Sequence, residues 1–99
     1  LVRQDSGDEP ALVVSGSLDL ASAETLGTAV DRRLDDGLDV TLDLADLAFC
    51  DSVGLQVLVR GYRRAMGAGR RFAITRASPS MLSLLDVTGL RSLFGPADG

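Results

Sequence analysis

The sequence contains no histidine, no tryptophan and no lysine; its ten basic residues are all arginine, and its one cysteine is Cys50. Each absence removes chemistry. Without histidine there is no base for a Ser-His-Asp or Cys-His hydrolase, and without lysine no Ser-Lys nucleophile or Schiff base. One cysteine and no histidine cannot assemble the usual nitrogen and sulfur ligands of zinc. No enzyme activity, metal or cofactor is therefore expected. Basic charge is also scarce relative to acidic: the net charge of −4 argues against nucleic acid, whose phosphates demand a basic face. Long apolar runs are missing too. The longest uncharged stretches, Pro10–Leu18 and Ala77–Leu85, fall well short of the roughly 20 residues of a membrane span. With no secretory leader pattern and no partner for Cys50, a reducing, cytoplasmic location is expected.

What is present suits a folded α/β domain. The 99 residues are 45% hydrophobic and 24% charged, which fits a single domain over 1–99 with one core. Val2 to Asp5 reads as a weak strand and Ala11 to Ser15 as a buried one. Turn residues Ser6 to Pro10 lie between them, so the two can pair as a hairpin. After Gly16-Ser17-Leu18-Asp19 a helix is expected, with Ser22 at its N-cap, Glu24 in its first turn, and Ala23, Leu26, Val30 and Leu34 on its buried face; Asp36-Gly37 ends it. Val40 to Leu44 alternates, with Val40, Leu42 and Leu44 inward and Thr41 and Asp43 on an open face, and Arg71 to Thr75 repeats the pattern with Phe72 and Ile74 inward. Strands separated by helices are parallel, and alternation in them places the helices mainly on one face.

A second helix is predicted over about Val53 to Met66, with Leu55, Leu58, Val59, Tyr62 and Met66 facing the core and Val53, Val57, Arg60 and Arg64 facing solvent. Two β-branched residues on a solvent face are hard to explain by packing. A third helix is marked by Ser78 at N-cap, Pro79 at N1, the apolar set Met81, Leu84 and Leu85, and Gly89 after its end. Leu90 to Phe94 reads as a last short strand and residues 95–99 as a frayed tail.

The segment Ala48-Phe49-Cys50-Asp51-Ser52-Val53-Gly54-Leu55 links the central strand to the second helix. Asp51 or Ser52 caps that helix. On one account capping is their whole role. On the other, Ser52 offers an exposed hydroxyl at a helix start, where free amides and the helix dipole accommodate a phosphate beside Asp51.

In this sequence Gly16-Ser17-Leu18-Asp19, the strand Val40 to Leu44, the turn Phe49-Cys50-Asp51-Ser52-Val53-Gly54-Leu55 and Val87-Thr88-Gly89-Leu90 together resemble the STAS domains of bacterial anti-sigma factor antagonists, over nearly the whole chain. The resemblance implies a β-α superhelix with a mostly parallel sheet of four to five strands. It also implies that Ser52 is the phosphoacceptor of an anti-sigma factor that is itself a Ser/Thr kinase, with a PP2C-type phosphatase resetting the modified form. The partner surface it implies joins Asp19 and Asp51 to the second helix, with Val53, Gly54, Val57, Arg60 and Arg64. A STAS scaffold in a stressosome, transporter or lipid-transport complex, without phosphorylation, is the alternative. Where many members carry a second hydroxyl after the acceptor, this chain has Val53.

Asp43, Asp46 and Asp51 also evoke the acidic cluster of a phosphoaspartate receiver, but that fold needs a lysine near the phosphate. Asp46 is instead expected to organise the turn before Phe49. Cys50 reads as a small buried residue, and Arg63, Arg64, Arg70 and Arg71 as solvated ends of the helix and strand.

Overall fold

The computed structural model describes residues 2–4, as backbone only, and residues 11–90. Its elements in chain order are β1 (Val2–Gln4), β2 (Leu12–Val14), β3 (Gly16–Leu18), α1 (Leu20–Asp35), β4 (Val40–Leu44), β5 (Leu47–Cys50), α2 (Ser52–Gly67), β6 (Phe72–Ala77) and α3 (Pro79–Thr88). Four strands form one sheet in the order β1-β2-β4-β6, antiparallel at β1 and parallel elsewhere. The expected hairpin is the β1–β2 pair, with Val2 opposite Val14. The turn at residues 6–10, the last strand beyond Leu90 and the tail at 95–99 lie outside the described residues.

Two strands were not foreseen. Gly16–Leu18 and Leu47–Cys50 pair in parallel as a second, two-stranded sheet. Each continues a strand of the first sheet after a short bend. The bend at Ser15 and Gly16 uses a left-handed glycine (φ 79°), a conformation only glycine adopts without strain. At the other bend the Asp43 carboxylate accepts the Ala45 amide at 3.0 Å. Asp43, not Asp46, organises that turn with its side chain; Asp46 contributes its carbonyl, which accepts the Gly16 amide at 3.2 Å and ties the two bends together. Asp43 is also buried rather than on an open face. A register shift after Leu42 sets Asp43 opposite Arg76, whose Nε donates to its Oδ2 at 3.0 Å, so the buried carboxylate is paired.

One pleat of the large sheet and all three helices share a single core, including Leu12, Val14, Val40, Leu42, Leu44, Phe72 and Ile74 from the strands. This is the one-sided helical cover that the alternation implied. From α1 come Leu26, Val30 and Leu34, from α2 Leu58 and Ala65, and from α3 Met81 and Leu85. α3 starts and ends as its sequence indicates: Ser78 caps it, Pro79 occupies its first turn, and Gly89 follows in the left-handed conformation. The Ser78 hydroxyl also donates to the Leu47 carbonyl at 2.9 Å, fixing α3 to β5.

The phase of α2 differs from expectation by roughly a quarter turn. Its buried residues are Gly54, Leu58, Gly61 and Ala65. Leu55, Val59 and Tyr62 are half-buried at the margin, and Met66 is 47% exposed. Small residues carry little hydrophobic weight in a pattern, yet they let the helix backbone sit close. A Cβ on Gly61 would lie 2.9 Å from Phe72 and 3.3 Å from Val30, and one on Gly54 would lie 2.5 Å from the Leu18 carbonyl oxygen. These distances are too short for any other residue, so the glycines define the buried face.

Candidate functional site

Because Leu18 and Cys50 are paired neighbours in the small sheet, the two strands end side by side, and each hands the chain to a helix through an aspartate. Asp19 is the N-cap of α1 and Asp51 the N-cap of α2. The Asp51 amide donates to the Leu18 carbonyl at 3.2 Å, joining the two corners. Two positively polarised helix starts thus lie at one end of the molecule.

The corner at α1 is closed by its own side chains. Asp19 Oδ1 accepts the amides of Ala21 at 3.0 Å and Ser22 at 3.3 Å. The Ser22 hydroxyl accepts the Asp19 amide at 3.0 Å and donates to the Ser17 carbonyl at 2.7 Å. The N-cap is therefore Asp19 and not Ser22, which sits at the third helical position and completes a capping box. Glu24 consequently falls beyond the first turn.

The corner at α2 is more open. Asp51 Oδ1 accepts the Gly54 amide at 3.0 Å, so Asp51 is the cap and Ser52 the first helical residue. Ser52 is exposed, and its hydroxyl makes no hydrogen bond among the described residues. A first-turn position leaves backbone N–H groups without helical acceptors, and a negative group there is stabilised by them and by the helix dipole. Beside it, burial pushes the Cys50 thiol up to about 11, with the Asp51 charge adding to the effect. The thiol is thus held in its protonated form at neutral pH, in keeping with a packing role.

The other residues singled out from the sequence are divided by the helix rotation. Gly54 is buried under the corner. Val53 and Val57 are half-buried rather than on the solvent face, and Val57 lines a crevice between α1 and α2. This answers the difficulty for Val57, which flanks α1. Arg64 is exposed but not free, because its guanidinium pairs with Asp31 and with Asp35 of α1, the latter at 3.0 Å. Both carboxylates raise its pKa further. Arg60 alone of that set is exposed and unpaired among the described residues. The outward row of α2 is Ser52, Gln56, Arg60 and Arg63. Gln56 and Arg63 were missed as parts of it, although their spacing from Ser52 and Arg60 would have revealed them once the glycines were placed on the buried side.

Among the described residues no helix is long and apolar enough to cross a membrane. The family model described as "Mlab, STAS domain" matches residues 1–95. The anti-sigma-B factor antagonist of Bacillus subtilis is 28% identical over 92 residues, covering 93% of this chain and 84% of that protein. The crystal structure of an anti-sigma factor antagonist from Mycobacterium paratuberculosis superposes with a TM-score of 0.84 at 24% identity, over 100% of this chain and 86% of the other. The antagonist SpoIIAA in its unphosphorylated form gives a TM-score of 0.70 at 15% identity, over 96% and 99% of the two chains. The sequence match, the fold and the paired strand-to-helix corners agree: the chain belongs to the STAS domain family, and the relatives it resembles are anti-sigma factor antagonists.

Proposed function

We propose that this chain is a non-enzymatic anti-sigma factor antagonist that binds an anti-sigma factor Ser/Thr kinase and is switched off when that kinase phosphorylates Ser52. The observation that carries the reading is the state of Ser52: exposed, with an unengaged hydroxyl, at the first position of α2. A phosphate there adds about −1.5 to −2 charges at a helix start that tolerates them, so the domain stays folded. The same charge, set beside the carboxylates of Asp19 and Asp51, alters the surface a partner must cover. In this reading the contact surface comprises the two corners with Val53 and the row Gln56, Arg60 and Arg63. Gly54 and Arg64 act as positioning residues, seating α2 on β3 and tying it to α1. A PP2C-type phosphatase restores the active form.

The description of the matching family model as "Mlab, STAS domain" favours a second reading, an unphosphorylated STAS scaffold within a larger assembly. One experiment separates them. The protein is incubated with ATP and, one at a time, the anti-sigma factor kinases encoded by its genome, and its intact mass is measured. The antagonist reading expects one phosphate on the wild type and none on Ser52→Ala. No phosphate with any kinase, or equal labelling of Ser52→Ala, replaces it with the scaffold reading.

A further inference from the structure

Between Asp51 and Asp86 the sequence holds six arginines and no acidic residue, in a chain whose net charge is −4. The fold finds carboxylates for three of the six. Arg64 pairs with Asp31 and Asp35 of α1, and Arg76 with Asp43. Arg71 lies beside Asp39, whose carboxylate accepts its backbone amide at 3.0 Å. The remaining three, Arg60, Arg63 and Arg70, are exposed, and no carboxylate pairs with them among the described residues.

Their places on the helix make one edge. Arg60 and Arg63 stand on the outward row that Ser52 begins, a row with neither an apolar nor an acidic side chain. At the end of α2 the chain turns back through Gly69 (φ 72°), and the Arg70 amide donates to the Ala65 carbonyl at 2.9 Å, which keeps Arg70 against the helix end. Gly67, Ala68 and Gly69, which separate it from the helical arginines, are exposed and carry no side chain larger than a methyl. Folding does not call for this arrangement. The cation that a helix favours in its last turn is already supplied by Arg64, and exposed arginines contribute little to stability.

We propose that the Arg60–Arg63–Arg70 edge of α2 docks an acidic protein surface, and that in the antagonist reading, on which this rests, that surface belongs to the kinase. The chemistry of the row is the argument: with no apolar side chain to bury, its one handle is charge, and guanidinium forks match carboxylates in two-point contacts. Nucleic acid spreads negative charge over a long backbone. Here Asp31 and Asp35 border Arg64, and Asp39 borders Arg71, so an extended polyanion meets repulsion on either side and a compact acidic surface does not. The same row gives the switch its sign. A phosphate on Ser52 adds about −1.5 to −2 charges at the head of the row, about 12 Å along the axis from Arg60, and repels the acidic surface that the arginines attract.

The test combines Arg60→Gln, Arg63→Gln and Arg70→Gln and uses the kinase found to modify the wild type. The triple variant should melt within about 3 °C of the wild type, since all three side chains are exposed. At about 50 mM salt it should nonetheless associate with the kinase about tenfold or more slowly, with dissociation little changed, and raising the salt to about 500 mM should slow the wild type far more than the variant. The corresponding triple lysine variant should keep most of the wild-type association rate. If the glutamine variant folds poorly, Arg60→Gln and Arg63→Gln alone decide, with a smaller slowing expected. Wild-type association and salt dependence in a well-folded variant would overturn the acidic partner surface and leave the antagonist reading intact; a wild type that no kinase binds or modifies removes both. A variant that keeps its affinity for the kinase but loses affinity for a six-nucleotide single-stranded DNA would assign the edge to nucleic acid and overturn the proposal.

Discussion

The corners Leu18-Asp19-Leu20-Ala21-Ser22 and Cys50-Asp51-Ser52-Val53-Gly54 share one frame: a strand end, an aspartate cap and a helix start, held side by side by parallel pairing. They differ in where serine falls. In the α1 corner Ser22 occupies the third helical position and its hydroxyl is engaged by the Asp19 amide, the Ser17 carbonyl and the Asp19 carboxylate. In the α2 corner that position is Gly54, since the Leu18 carbonyl leaves no space for a side chain, and the serine stands two positions earlier. One hydroxyl is consumed by the fold and the other is left over. A helix-start serine is therefore available for modification according to its place in the frame, and the glycine under α2 decides that place.

Breaking the frame itself should have the largest effect. Gly54→Val pushes α2 away from β3, and overpacking of this kind costs about 3 kcal/mol, measurable by urea unfolding. Removing the caps comes next. Asp19→Ala loses two amide bonds and the box, expected to cost about 2 kcal/mol, whereas Asp51→Ala loses a single amide bond and should cost about 1 kcal/mol. The serines sharpen the contrast further. Ser22→Ala should cost about 1 kcal/mol, while Ser52→Ala should stay within about 0.5 kcal/mol of wild type, as exposed substitutions do. Equal losses would erase the distinction between the corners.

A further effect, confined to alkaline pH, concerns the thiol beneath the α2 corner. The Cys50 pKa is raised from 9.0 to about 11 by burial and then by Asp51, so above pH 9 the unfolded chain gives up a proton that the folded chain keeps. This contribution to stability is full below pH 9 and is lost as pH rises toward 11. Cys50→Ala should flatten that alkaline decline. Iodoacetamide at pH 8 should react slowly with the native protein and readily with the unfolded one.

Much of this was legible in the residues. The inward Val40, Leu42 and Leu44 of β4, the Ala23-Leu26-Val30-Leu34 face of α1 and the Ser78-Pro79 start of α3 all correspond to the structure, because each is set by side-chain period or capping chemistry close in sequence. What escaped has a common cause in tertiary contact. The strands Gly16–Leu18 and Leu47–Cys50 are three and four residues long and exist because they pair with each other. The rotation of α2 follows from close approach at Gly54 and Gly61, and the burial of Asp43 from a register shift that brings Arg76 opposite. Of the site, Ser52 and its neighbour Asp51 were legible from local order. The engagement of Arg64 by Asp31 and Asp35 was not, since those carboxylates lie on another helix.

The central claim, that Ser52 is the switch, is tested most directly by the affinity of the cognate kinase for the unmodified and the Ser52-phosphorylated protein, measured by calorimetry on samples with matching circular dichroism spectra. The account predicts that phosphorylation leaves the spectrum unchanged and weakens binding at least about tenfold, a change of about 1.4 kcal/mol. Equal affinity of the two forms would contradict it.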